Sequence, residues 1–240
     1  MNNIALIFAG GSGIRMNMQA QPKQFLQLHD KEIIIHTVEH FENHPAIDGI
    51  AVACIKEWIP FFKSLLEKYQ IKKVKWIVPG GNTGQESIYY GLTAMKNECA
   101  DNTVVLIHDG VRPLINSELI TNCIHTVQKH GSAITVTPEI ETVVSLDNER
   151  KITSITDRSV CFHAKAPQCF RFKDIFSAHN CAKQEGLTNV IDSASLMAKY
   201  GYELYTVECG YDNIKITTPT DFYLFRALFE AKENLKIFGL

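Results

Sequence analysis

Five charged side chains carry the chemistry this chain can do: Arg15, Lys23, Asp109, Arg112 and Lys215. Arg15 and Lys23 follow a glycine cluster in AGGSGIRMNMQAQPKQF, Asp109 and Arg112 fall in HDGVRP, and Lys215 falls in DNIKITTPTD. Glycines without a Cβ let backbone N–H groups converge on a guest, and phosphate is the natural one. The cations Arg15, Lys23 and Lys215 together neutralise a triphosphate of roughly four negative charges with the help of a divalent ion, as phosphoryl-type transfer requires. A carboxylate closing an apolar run, as Asp109 does, suits a metal or a sugar hydroxyl, and Arg112 can grip a second phosphate.

The spacing of the glycine loop fits neither of two common phosphate-binding patterns. A dinucleotide fingerprint needs a third glycine where Met16 stands, and a Walker A loop counted from Gly10 needs its second glycine where Arg15 stands. The first mismatch also argues against a dinucleotide-dependent oxidoreductase, and no second substrate domain is evident.

Short β-branched runs alternate with helical periods along the chain. IALIF, GIAVACI, KVKWIVP, TVVLIHD, SAITVTP, LYTVEC and NIKIT read as strands. EIIIHTVEHFE, EWIPFFKSLLEKY, GQESIYYGLTAMKN, SELITNCIHTVQKHG and DSASLMAKYG read as helices, the second starting late because of Pro60. Such alternation predicts a doubly wound α/β domain over 1–240 with a mostly parallel sheet, because a parallel crossover has room for a helix. Ligands then sit beyond the carboxyl ends of the strands, where all five charged residues fall. Asp192 reads as a helix N-cap, and Thr218, Pro219 and Asp221 open a last helix whose Phe222, Phe225 and Phe229 form a core stripe. Between Glu139 and Phe172 the alternation stops: TVVSLDNERKITSITD reads as a hairpin. An arm over 139–172 that cannot bury both faces on its own chain predicts a homodimer.

Composition narrows the partners. The 240 residues carry 24 basic against 26 acidic side chains, so no global field attracts nucleic acid or an anionic membrane. No apolar run is long enough to span a bilayer and the N-terminus lacks a basic leader, which predicts a cytoplasmic protein. Seven cysteines without a CxxC pair, and nine histidines without paired metal-ligand spacing, argue against a disulfide framework or a zinc site.

AGGSGIRM, QPKQF, the GG before Ser87, HDGVRP, TDR, APQ, IDSAS and DNIKITTPTD stand in register over nearly the whole chain, and in this order they resemble the polyol-phosphate cytidylyltransferases. That family includes enzymes making CDP-methylerythritol for isoprenoid precursors and similar ones making CDP-ribitol for cell-envelope polymers. The resemblance implies a Rossmann-like nucleotidyltransferase fold, CTP and a polyol phosphate as substrates, and Mg²⁺. It implies Arg15, Lys23 and Lys215 as catalytic cations, and nucleotide contacts at Ala9, Gly10, Gly11, Gly13, Gly81, Asn82, Ser87, Asp109 and Gly110. Asp109 would also meet the metal. The acceptor would meet Arg112 and Thr142, with Arg158 arriving from a partner's hairpin. Departures at GGNTGQES, HDGVRP and Ala166 surround the base and acceptor pockets and incline the acceptor toward ribitol 5-phosphate, with methylerythritol 4-phosphate as the alternative. A non-catalytic nucleotide-binding module is the remoter reading, and the retained cations argue against it.

Overall fold

The computed structural model describes residues 1–10 and 21–239. The chain runs β1 (Asn3–Ala9), a two-strand ribbon of β2 (Gln27–Leu28) and β3 (Lys31–Glu32), α1 (Ile33–Glu42), β4 (Gly49–Cys54), α2 (Ile59–Lys68), β5 (Val74–Pro79) and α3 (Gly84–Met95). It continues through β6 (Val104–Asp109), α4 (Ser117–His130), β7 (Ser132–Pro138), β8 (Val143–Leu146), β9 (Ile152–Thr156), β10 (Phe162–Arg171), α5 (Phe172–Gln184), α6 (Ser193–Lys199), β11 (Thr206–Glu208) and α7 (Pro219–Phe238).

Seven strands form one sheet in the order β11-β7-β10-β6-β1-β4-β5, with β10 antiparallel to both neighbours and every other pairing parallel. Alternate side chains of β1 serve opposite layers. Ala5, Ile7 and Ala9 join α1, α2 and α4 in one core, while Ile4 and Leu6 join α3, α5 and α6 in the other. Burial on both faces is why β1 reads as an unbroken apolar run rather than an alternating one. Gly91 lets α3 lie close on β1, since a Cβ there would collide with Leu6 Cδ1.

The expected doubly wound fold is present, and its topology marks one point on the rim. From β1 the chain moves outward through β4 and β5, then returns to the far side of β1 as β6. The order reverses between β1 and β6, and the crevice beyond their carboxyl ends is where such folds take ligands.

Helix ends follow the residues that mark them. Thr218 and Asp221 form a reciprocal capping box with Pro219 at the first position of α7, and Asp192 Oδ1 accepts from Ser195 N at 2.8 Å to cap α6. Phe225 is fully buried, with Phe222 and Phe229 packed beside it. All seven cysteines are free thiols.

Two expectations change. NIKIT is not a strand: Ile216 N bonds Val111 O at 3.0 Å, one bond rather than a ladder. The antiparallel strand β10 and helix α5 occupy 162–184, so the hairpin proper covers only 143–156 and Phe162–Arg171 belongs to the main sheet instead of the arm expected over 139–172. The physical reason is burial: Ala166 to Phe170 are all buried between β6 and β7, whereas the hairpin keeps most of its residues exposed. No described helix is long and apolar enough to cross a membrane.

Candidate active site

Asp109, the last residue of β6, is the centre of the crevice. Its side chain is 8% exposed; Oδ1 meets Lys215 Nζ at 2.5 Å and Oδ2 meets Arg112 Nε at 2.8 Å. Burial opposes ionisation and is the largest influence, but the charges and hydrogen bonds of Lys215 and Arg112 together outweigh it and hold the carboxyl at about 2. Arg112 also donates to Asn213 O at 3.0 Å, so the segment before Lys215 is fastened to the loop after β6. Lys215 lies 5.9 Å from the centre of the Phe8 ring and keeps part of its side chain open to the crevice.

Lys23 reaches the same place from the other side. Its Nζ donates to Ile216 O at 2.9 Å, next in chain to Lys215. Its own turn is fixed by its neighbours: buried Gln24 donates to Ala9 O at 2.6 Å, and buried Phe25 stacks on Trp58 at 4.8 Å. A core aromatic and a buried amide thereby hold a cation at the end of β1.

The second glycine pair is equally built. A Cβ on Gly80 would stand 2.8 Å from Gly10 Cα, so the ends of β1 and β5 touch through bare backbone. Beyond it, Gly81 N donates to Ser87 Oγ at 2.9 Å, Ser87 Oγ donates to Thr83 O at 2.9 Å, and Asn82 N donates to Glu86 Oε2 at 2.6 Å. Thr83 caps α3. The turn is therefore shaped by its own side chains before any ligand arrives.

Two cavities open here and share Phe8, Thr83, Gly84, Asp109 and Lys215 as a common wall. The first, about 500 Å³, is walled by Ala9, Gly10, Lys23, Gly81, Asn82 and Ser87. The second, about 370 Å³, is walled by Arg112, Lys165, Gln168, His179, Asp192 and Ser193 among others. Glycines, polar groups and Lys23 on one side suit a nucleotide with its phosphates; the cationic second chamber suits a smaller anion.

Of the residues expected from sequence, Ala9, Gly10, Lys23, Gly81, Asn82, Ser87, Asp109 and Lys215 border the first cavity, and Asp109, Lys215 and Arg112 the second. Gly110 borders neither; its bare Cα allows the close approach to Ala9, where a Cβ would stand 2.8 Å from Ala9 Cβ. Thr142 and Arg158 also border neither: both are exposed at the foot of the hairpin, and Arg158 donates to Ile140 O at 3.3 Å. Gly11, Gly13 and Arg15 lie outside the described residues.

Sequence reasoning passed over Lys165, Gln168 and Gln24. Gln168 donates to Asp192 Oδ2 and accepts from Ala194 N, both at 2.9 Å, tying α6 to β10. The available signal was a lysine and a glutamine flanking Ala-Pro inside an apolar stretch, which marks a strand that bulges toward something polar.

A family model described as 2-C-methyl-D-erythritol 4-phosphate cytidylyltransferase matches residues 3–231. A ribitol-5-phosphate cytidylyltransferase of Vibrio parahaemolyticus serotype O3:K6 is 51% identical over 237 residues, spanning 99% of this chain and 100% of that protein. A 2-C-methyl-D-erythritol 4-phosphate cytidylyltransferase of Clostridium botulinum (strain 657 / Type Ba4) is 36% identical, spanning 95% of this chain and 97% of that one. Among solved structures, the 4-diphosphocytidyl-2C-methyl-D-erythritol synthase of Anaerococcus prevotii DSM 20548 superposes with a TM-score of 0.82 at 27% identity, covering 95% of this chain and 96% of that one. The glycine rim, the paired cations and these likenesses agree: the chain belongs to the 2-C-methyl-D-erythritol 4-phosphate cytidylyltransferase family, whose members are CTP-dependent nucleotidyltransferases.

Proposed function

We propose that the protein transfers CMP from CTP to D-ribitol 5-phosphate, giving CDP-ribitol and pyrophosphate. The observation that carries the choice of acceptor is the 51% identity over the full chain to a ribitol-5-phosphate cytidylyltransferase, against 36% to a methylerythritol phosphate enzyme. CTP occupies the chamber of Gly10, Gly81, Asn82, Ser87 and Lys23, and the acceptor phosphate occupies that of Arg112 and Lys165. The α-phosphorus lies at the common wall of Asp109 and Lys215.

A phosphomonoester is mostly dianionic near neutral pH, its second pKa lying near ~6. One of its oxygens attacks the α-phosphorus, a P–O–P bond forms, the bond to pyrophosphate breaks, and no protein nucleophile or general base is needed. What the chain supplies is positioning and charge. Lys23 and Lys215 hold the phosphates of the nucleotide, Arg15 is assigned to the same task, and Asp109 aligns Lys215 and Arg112. No group of three metal-ligating side chains occurs among the described residues, so Mg²⁺ would be held mainly by phosphate oxygens with Asp109 as the protein carboxylate. Bound there, it would neutralise charge on the triphosphate. We place the reaction in the cytoplasm, where CTP is available.

The measurement is pyrophosphate release from CTP and Mg²⁺ with each polyol phosphate in turn. Ribitol 5-phosphate is expected to be preferred by at least about tenfold in kcat/KM, a difference of about 1.4 kcal/mol. Preference for methylerythritol 4-phosphate would overturn the acceptor, and inertness with both would overturn the reaction.

We also propose that the chain works as a homodimer through the hairpin. Ile152, Ile155, Val160 and Phe162 on and beside it are 55%, 70%, 73% and 49% exposed, an apolar surface that invites a second copy. Thr142 and Arg158 border neither cavity of their own chain, so docking is what would bring them to an acceptor. Ile155→Asp is expected to yield a monomer in sedimentation velocity with the acceptor KM raised; a wild-type protein that sediments as a monomer would refute the dimer.

A further inference from the structure

We propose that Lys165 is a substrate-binding residue of this chain's own acceptor chamber and takes the phosphate of the polyol phosphate. The assignment rests on the polyol-phosphate reading above. The three cations around the second cavity differ in how they are neutralised. Arg112 and Lys215 share the Asp109 carboxylate. Lys165 has no carboxylate partner among the described residues; its contact is a long one, 3.5 Å, to the Tyr211 carbonyl. The nearest acidic side chain along that segment, Asp212, is already paired with Lys232.

Its placement comes from the backbone. The register of β10 against β7 shifts between Ala164 and Gln168, and a bulge of that kind re-aims a side chain out of the strand's regular alternation. Ala164, Lys165, Ala166 and Gln168 all line the cavity as a result. Burial lowers the Lys165 ammonium below its usual range and the Arg112 charge adds to it, while Cys209 and the more distant Asp212 carboxylate oppose them only in part. A half-buried cation with no carboxylate in contact beside an open chamber is stabilised by an incoming anion, and a dianionic phosphate supplies one.

The test separates this role from a merely structural tie to the Tyr211 loop. With CTP saturating, Lys165→Ala is expected to raise the KM for ribitol 5-phosphate about 10- to 100-fold, as loss of one charge-assisted hydrogen bond does. The KM for CTP and the melting temperature should stay near wild type, and Lys165→Arg should recover most of the acceptor affinity. An unchanged acceptor KM in Lys165→Ala, or a CTP KM rising in step with it, would overturn the assignment. If wild type prefers methylerythritol 4-phosphate, the same comparison is made with that ester, since it presents the same phosphate. Wild-type inertness with both esters would sink the reaction and this assignment together, whereas an active wild type indifferent to Lys165→Ala sinks the assignment alone.

Discussion

Lys215→Ala is expected to lower kcat about 100- to 1000-fold, equal to about 3–4 kcal/mol, while leaving the fold intact. Lys215 stands on the wall common to both cavities, with its ammonium on Asp109 and its side chain 41% exposed. Charge moves from the acceptor phosphate toward pyrophosphate as the α-phosphorus changes partners, and a fixed cation beside that atom is worth most in the transition state. Its worth to the folded state is small, because a partly exposed ion pair is screened by water and Asp109 keeps Arg112. Steady-state kinetics with a thermal melt decide it. A kcat within a few-fold of wild type would remove Lys215 from the reaction, and a collapsed melting temperature would make it a structural residue instead.

Acid is expected to destabilise the protein steeply between pH 6.5 and 4. His108, the H of HDGVRP near the end of β6, is fully buried with its Nε2 on Arg112 O at 3.0 Å, and His179 is 3% exposed on α5 with Nε2 unpartnered among the described residues. Burial drives both imidazoles down to about 4; for His108 the Arg112 carbonyl opposes it only in part. The folded values lie below the unfolded value of 6.5. Above 6.5 both states are neutral and nothing is lost. Below it the unfolded chain takes up protons first, so stability falls until the folded protein also protonates near 4. A gap of about 2.5 pH units at about 1.4 kcal/mol each gives roughly 3–4 kcal/mol per histidine, a large share of a typical domain's stability.

His36 and His40 on α1 are lowered in the same direction, chiefly by burial, and add to the loss. Asp109, held at about 2, stays charged throughout and contributes only below that window. Urea unfolding across this range measures the slope. His179→Leu gives up no hydrogen bond of Nε2 and is expected to flatten the acid limb by roughly 3–4 kcal/mol; an unchanged limb would contradict the account.

How much was readable follows from what each signal depends on. Buried parallel strands and capped helices are local: IALIF, TVVLIHD and Thr218-Pro219-x-Asp221 announce themselves through composition and spacing alone. Asp109, Arg112 and Lys215 were legible because strand ends in this topology converge, so a charge just after an apolar run has one destination. β10 was not legible, because HAKAPQCFR mixes polar and apolar residues around a bulge, and its place between β6 and β7 is decided by tertiary pairing. Lys165 was lost with it. NIKIT has strand composition, but the sheet offers it no free edge beside β6, where β10 already sits. The histidines were set aside as surface or core residues; four of them, His36, His44, His108 and His179, prove buried, and their acid sensitivity is a property of that packing.

The central claim is that the two chambers meeting at Asp109 and Lys215 hold the two halves of one displacement. A structure with a non-hydrolysable CTP analogue and ribitol 5-phosphate bound together measures this directly. The account predicts an acceptor oxygen about 3–3.5 Å from the α-phosphorus, opposite the pyrophosphate group, with Lys215 on the α-phosphate and Lys165 on the acceptor phosphate. An acceptor bound outside the Arg112–Lys165 chamber, or a triphosphate away from Lys23 and Lys215, would contradict it.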